Sequence, residues 1–112
     1  MAILDELILP PALRTLSLVG VIVSNIEQAL FNANDLLSLE LTLDKGKATT
    51  HPLPPGLQEC AFHSHPPSDL DDFHHRCQGL LCLKLLNIYY TYALRIGKLK
   101  KLKELQVSVT GF

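Results

Sequence analysis

The stretch "CAFHSHPPSDLDDFHHRC", residues 60–77, concentrates the side chains of this chain that could bind a metal ion or transfer a proton. It holds four of the five histidines and three aspartates. On a β-strand, His63 and His65 would present both imidazoles on one face, because side chains alternate along a strand. Two neutral imidazoles can share one divalent ion, so the spacing predicts a zinc site that needs a third ligand.

Asp71 is the best candidate for that third ligand, because it stands at the start of the helix expected after the strand. The alternatives are Asp69, Asp72, His74 and His75. A bound zinc ion lowers the pKa of its water to about 7 and polarises a carbonyl, while a carboxylate outside the metal shell relays the proton. Ser68 could donate a hydrogen bond to the developing oxyanion or cap the following helix.

The order of these residues resembles that of the JAMM metalloproteases, also called JAB or MPN+ domains. His63-Ser64-His65-Pro66 matches the first half of the family motif and Ser68-Asp69-Leu70-Asp71 the second. The resemblance implies that His63, His65 and Asp71 bind Zn²⁺, that Ser68 supports the oxyanion, and that an upstream glutamate is the catalytic acid and base. It also implies a protein or peptide substrate, with cleavage of a peptide or isopeptide bond, including bonds at ubiquitin or a ubiquitin-like protein.

The upstream glutamate of the resemblance is assigned to Glu27 in "NIEQALF", on an early segment expected to be strand-like. Glu6 in "LDELIL" is the alternative. Glu40 lies in "LLSLELTL", where apolar and polar residues alternate as in a half-buried strand, and this alternation predicts that Glu40 points away from the core.

The elements that would position these residues are mixed. We expect a short helix interrupted by Pro10 and Pro11, or an irregular lead-in, over residues 1–18 and a buried strand or helix over 16–23. A half-buried strand is expected over 36–43, and "CAFHSH" can end a further strand. The stretch "LDDFHHRCQGLLCLKLL" predicts a central helix, and "NIYYTYAL" a strand. Leu99, Leu102 and Leu105 predict a helical face, with "VSVTGF" as a closing strand. We expect no internal repeat.

The fold class predicted is therefore α+β. The resemblance implies a JAMM-like, cytidine-deaminase-like compact mixed sheet flanked by helices, in a single domain over residues 1–112. The chain is 47% apolar and 19% charged with a formal charge of −1, which gives no electrostatic reason to expect a nucleic-acid partner. No segment is expected to span a membrane.

An intracellular, cytoplasmic location is predicted from the absence of a secretory signal pattern and from an odd set of three cysteines, Cys60, Cys77 and Cys82. These are expected to be buried core thiols. The function predicted is a zinc-dependent hydrolase. The alternatives are a catalytically inactive MPN-like module that binds a protein partner, and a chain without a cooperative fold.

Overall fold

The computed structural model of the chain describes residues 2–42, 53–64, 77–88 and 97–110. In chain order the elements within these ranges are β1 (Ala2–Leu4), β2 (Thr15–Leu18), β3 (Val21–Val23), α1 (Ile26–Phe31), β4 (Ser38–Thr42), β5 (Glu59–His63), β6 (Cys82–Ile88) and β7 (Glu104–Val109). Strands therefore dominate the described part of the chain.

Five of the strands form one parallel sheet in the order β2-β4-β5-β6-β7. Strands β1 and β3 form a second, two-stranded parallel sheet. Parallel neighbours require a crossover that carries the chain back to the starting end of the sheet. Each crossover in the larger sheet leads to the adjacent position, so the strands stack as successive coils of a solenoid.

The same turn precedes each strand of the larger sheet. The N–H of Leu36 donates to the carbonyl of Ala33 at 3.2 Å, and the N–H of Leu80 donates to Cys77 at 3.1 Å. Equivalent bonds are made by Leu13, Leu57 and Leu102. These five leucines follow one another at intervals of 23, 21, 23 and 22 residues, and each begins the pattern Leu-x-x-apolar-x-apolar. The solenoid is therefore encoded by an internal repeat.

The repeat places apolar side chains on one face of the sheet. Leu39 and Leu41 of β4, Phe62 of β5 and Leu83 and Leu85 of β6 are all at most 3% exposed. They pack with the turn residues Leu36, Leu57 and Leu80 in one core cluster. Because successive strand side chains alternate, the strand residues between these apolar repeat positions lie on the opposite face, which we call the open face.

Three of the repeats have a residue with a left-handed backbone conformation at the same position. Gly20, Ser64 and Asn87 have φ angles of 77°, 76° and 53°, and each stands seven positions after the leucine that begins its repeat. Glycine adopts this conformation without cost, asparagine tolerates it, and serine is less suited to it. Gly20 and Ser64 follow the ends of β2 and β5, whereas Asn87 lies within β6 at the register shift between β6 and β7. The N–H of Gly20 donates to Oγ1 of Thr42 in the next coil at 2.8 Å.

The predicted α+β fold, a mixed sheet flanked by helices, is wrong. Every strand pair in the described residues is parallel, and the sheet is accompanied there by one helix of six residues, α1. The expectation of no internal repeat is also wrong. Of the half-buried strand predicted over residues 36–43, the part over Ser38–Thr42 is confirmed by β4, with Leu39 and Leu41 buried and Glu40 on the open face, while residue 43 lies outside the described residues.

Two predicted helices differ from the structure. Residues 82–86, which the sequence predicts as part of the central helix, form most of β6. Residues 65–76, where that helix would begin, lie outside the described residues. Leu105 was assigned to a helical face but lies in β7, which includes part of the closing strand predicted at "VSVTGF". Most of the strand predicted at "NIYYTYAL" also lies outside the described residues.

In the described part of the chain, no helix has the length and apolar content needed to cross a bilayer.

Candidate functional site

The open face carries a hydrogen-bonded chain of three side chains from three neighbouring strands. Ser17 of β2 donates from Oγ to Oε1 of Glu40 on β4 at 2.8 Å. Nε2 of His63, at the end of β5, lies 2.6 Å from Oε2 of the same carboxylate. The side chains of His63 and Glu40 are 14% and 32% exposed, so the pair is partly shielded from water but remains accessible.

These contacts hold Glu40 in its charged form. The hydrogen bond from His63 and then that from Ser17 lower the pKa of Glu40 below its ordinary value of 4.5, and burial opposes them. The positive charge of Lys84, on β6, lowers this pKa further. The open face therefore presents a fixed carboxylate at neutral pH.

The order of these three hydrogen-bonded side chains does not suit nucleophilic catalysis by Ser17. In a catalytic triad the imidazole lies between the hydroxyl and the carboxylate, so that it can take the hydroxyl proton. Here the carboxylate of Glu40 lies between Ser17 and His63. The arrangement instead orients the His63 ring and the Ser17 hydroxyl around one negative charge.

A shallow depression of about 150 Å³ lies on the open face beside the hydrogen-bonded side chain of Glu40. Its floor includes Ala61, the smallest side chain in the row that runs across the sheet in register. That row is Ser17, Glu40, Ala61, Lys84 and Gln106. The lining also includes Glu59, so two carboxylates and one ammonium group border the depression.

A second row, one step nearer the start of each strand, is also polar. It consists of Thr15, Ser38, Glu59, Cys82 and Glu104. Ser38 donates from Oγ to Oε2 of Glu59 at 3.5 Å, and Sγ of Cys82 lies 3.5 Å from Oε2 of Glu104. Burial and then the neighbouring carboxylate of Glu104 raise the pKa of Cys82, so this thiol stays protonated.

Of the predicted zinc ligands, only His63 lies in the described residues. His65, Ser68 and Asp71 lie outside them, together with the alternatives Asp69, Asp72, His74 and His75. The strand does not extend from His63 to His65, because β5 ends at His63 and Ser64 has a φ of 76°. Side-chain alternation along a strand therefore does not relate the two imidazoles.

The assigned acid and base, Glu27, lies in helix α1 rather than on an early strand. Its side chain is not among those that the structure describes. The alternative, Glu6, lies on the amino-terminal segment beside Leu7, whose N–H donates to Oδ1 of Asn25 at 2.9 Å. Across the described residues, no group of three or more histidine, cysteine, aspartate or glutamate side chains is placed to hold a metal ion. The zinc site remains a prediction.

The expectation of buried thiols is confirmed. Cys60, Cys77 and Cys82 are free and buried. The adjacent Cys77 side chain and burial raise the pKa of Cys60 well above its ordinary value, so Cys60 is a poor nucleophile.

Sequence reasoning placed His63 at a strand end but missed its contact with Glu40, and it missed Ala61 and Lys84. The signal that could have found them is the recurring Leu-x-x-apolar-x-apolar pattern, which aligns positions 40, 61 and 84 across strands. Comparison of the chain with known protein families, with curated proteins and with solved structures gave no match.

Proposed function

We propose that this chain is a binding module of the leucine-rich-repeat type and that its open face is the surface that holds a protein partner. The observation that carries the proposal is the alignment of two polar rows in register across five parallel strands. The repeat length of 21–23 residues and the pattern Leu-x-x-apolar-x-apolar are typical of leucine-rich repeats. Solenoids of this kind bind partners over an extended sheet surface.

The difference between the two faces of the sheet, one packed in the core and one exposed, supports a binding function. The core face already buries Leu39, Phe62 and Leu83, so the sheet is packed without help from the opposite side. Exposed open-face residues such as Lys84 and Gln106 are therefore free to vary in chemistry without loss of the core. Their side chains point in one direction from a stack of strands about 4.8 Å apart, which suits an extended polypeptide segment.

The charges of the open face favour a basic partner. Glu40, Glu59 and Glu104 supply three carboxylates in the two rows, against one ammonium group from Lys84. The depression above Ala61 gives a partner side chain room to approach the first two of these. We therefore propose a protein segment whose arginine or lysine side chain lies in this depression, with its charge against Glu40 and Glu59.

This proposal is preferred to hydrolysis because the fold implied by the JAMM resemblance is absent from the described residues. Among the described residues, the carboxylate in contact with His63 is that of Glu40, which belongs to the repeat, whereas Glu27 lies on helix α1. A binding module needs only the arrangement of Glu40, Glu59 and Ala61. The three free cysteines accord with a reducing, intracellular setting, which we propose for the protein.

The test uses two blocked hexapeptides, one of alternating arginine and serine and one of alternating glutamate and serine, added to the ¹⁵N-labelled protein. The arginine peptide should shift the amide resonances of Ala61 and Lys84. The shifts should be larger at low salt, because added salt screens the attraction between exposed charges. Glu40→Gln with Glu59→Gln should weaken binding several-fold, since each exposed ion pair contributes about 0.2–1 kcal/mol.

Asp35→Asn is the matched control, because Asp35 is exposed and precedes β4 rather than lying on the sheet. It should bind the arginine peptide like the wild type. Ala61→Arg fills the depression with a cation and should abolish the shifts. Equal shifts with both peptides, or none at the open face, would refute the proposal.

A further inference from the structure

Strand β7, at one edge of the larger sheet, exposes apolar side chains whose equivalents on β6 are buried. Leu105 and Val107 occupy the repeat positions that Leu83 and Leu85 occupy on β6. The β6 residues are 0% and 1% exposed, whereas Leu105 and Val107 are 46% and 39% exposed, and Val109 is 37% exposed. Within the described residues, β7 pairs with β6 on one side and with no strand on the other.

The same edge carries backbone groups that can pair with another strand. The N–H groups of Glu104 and Thr110 donate to Leu81 and Ile88, on the β6 side. Because hydrogen-bonding direction alternates along an extended strand, the N–H and C=O groups of Leu105, Val107 and Val109 point toward the free edge. An edge that combines unpaired backbone groups with apolar side chains favours addition of a strand.

We propose that this edge binds the same edge of a second copy of the chain, in an antiparallel pair of β7 strands related by a two-fold axis at Val107. In this register, Val107 pairs with Val107 of the other copy, and Leu105 pairs with Val109. All three apolar side chains then lie against apolar side chains. The described strands of the two larger sheets then join into one sheet of ten.

The charges of β7 fit this register. On the open face, Gln106 would lie opposite Ser108 of the other copy, and Glu104 opposite Thr110. No two carboxylates face one another, so the pairing avoids the repulsion that opposes like charges on adjacent strands. A two-fold arrangement with one self-complementary surface is also the commonest form of protein dimer.

The other end of the sheet is less suited to receive β7. Leu16 and Leu18 of β2 are already partly buried against the core cluster, as are Leu9 and Leu13 of the segment before β2. A head-to-tail contact from β7 to β2 would leave the next β7 free and would build open chains of copies. The unequal burial of the two ends therefore favours a closed dimer.

The mass of the wild-type protein in solution, measured by light scattering over a range of concentrations, tests the dimer. We expect a rise from 12.4 kDa to twice that mass. Val107→Lys and Val107→Glu should each be monomeric, because the substituted residue would face an identical charge across the axis. An equimolar mixture of these two variants should recover the dimer, since lysine would then face glutamate.

Ile8→Lys is the control, because Ile8 is 81% exposed and lies far along the chain from β7. It should dimerise like the wild type, and circular dichroism should show that the Val107 variants keep their strand content. A wild-type protein that stays monomeric at every concentration would overturn the proposal. So would a growing series of larger oligomers, or a variant mixture that stays monomeric.

Discussion

Gly20→Ala tests whether the left-handed position of the repeat contributes to stability. The φ of Gly20 is 77°, and a Cβ added there would meet no atom within 4 Å. The cost of the substitution is therefore conformational rather than steric. A left-handed conformation costs an L-residue roughly 1–2 kcal/mol of folding free energy. Alanine also reduces the conformational entropy of the unfolded chain, which stabilises the folded protein by about 0.4–1 kcal/mol. We expect a net loss of about 1 kcal/mol.

Gly97→Ala is the matched control for this substitution. A Cβ at Gly97 would also meet nothing within 4 Å, but Gly97 does not have a positive φ. The same change should therefore stabilise the protein by about 0.4–1 kcal/mol, through the unfolded state alone. The opposite signs of the two effects would identify backbone conformation as their cause.

Ser64→Gly makes the reciprocal change at the equivalent position of another repeat. Its φ of 76° is strained for serine, so glycine there should stabilise the protein by a fraction of the roughly 1–2 kcal/mol left-handed cost. Urea unfolding followed by circular dichroism, with the same m-value for every variant, measures all three effects. Equal effects of Gly20→Ala and Gly97→Ala would refute the reasoning.

The remaining predictions concern the core, the carboxylate of the open face and the metal site. Phe62→Ala should cost about 3–5 kcal/mol because the ring is fully buried, whereas Phe31→Ala should cost about 1 kcal/mol or less because that ring is 70% exposed; thermal unfolding compares them. The folded state lowers the pKa of Glu40, so its contribution to stability is present above the ordinary value of 4.5 and is lost as the pH falls through the lowered pKa. Glu40→Gln should therefore show a smaller loss of stability on acidification than the wild type or Glu59→Gln, and an equal loss in all three would contradict the assigned cause. If the predicted zinc site exists, elemental analysis should find stoichiometric zinc in the purified wild type and less in His63→Ala; wild-type protein that takes up no zinc would exclude it.

The strand β4 could be predicted because its alternation is undisturbed between two turns. Leu39 and Leu41 face the core, and Glu40 faces away, as the period of two requires. The strand β7 could not be read in this way. Leu102, in the turn before the strand, packs against the core cluster, whereas Leu105 lies within the strand and is 46% exposed. Their spacing of three residues imitates one side of a helix.

The candidate site could likewise be predicted only in part from the sequence. The local order of residues located His63 at the end of a strand, since aromatic and small apolar residues precede it. Its partner, Glu40, stands 23 residues earlier, and no local pattern relates them. They meet because the coil length of the solenoid returns the chain to the neighbouring strand. Only recognition of the repeat, rather than of the His-x-His-Pro motif, predicts such a contact.

The nearly constant spacing of the repeated leucines has a consequence for how the chain folds. Bringing any two neighbouring strands together closes a loop of about the same length, so the entropy of closure favours no particular pair. The starting point is then set by what each pair buries. Strands β5 and β6 unite Phe62 with Leu83 and Leu85, all at most 1% exposed, while β7 buries its apolar side chains poorly. Folding should begin at this central pair and spread outward, with β7 ordering late and opening first.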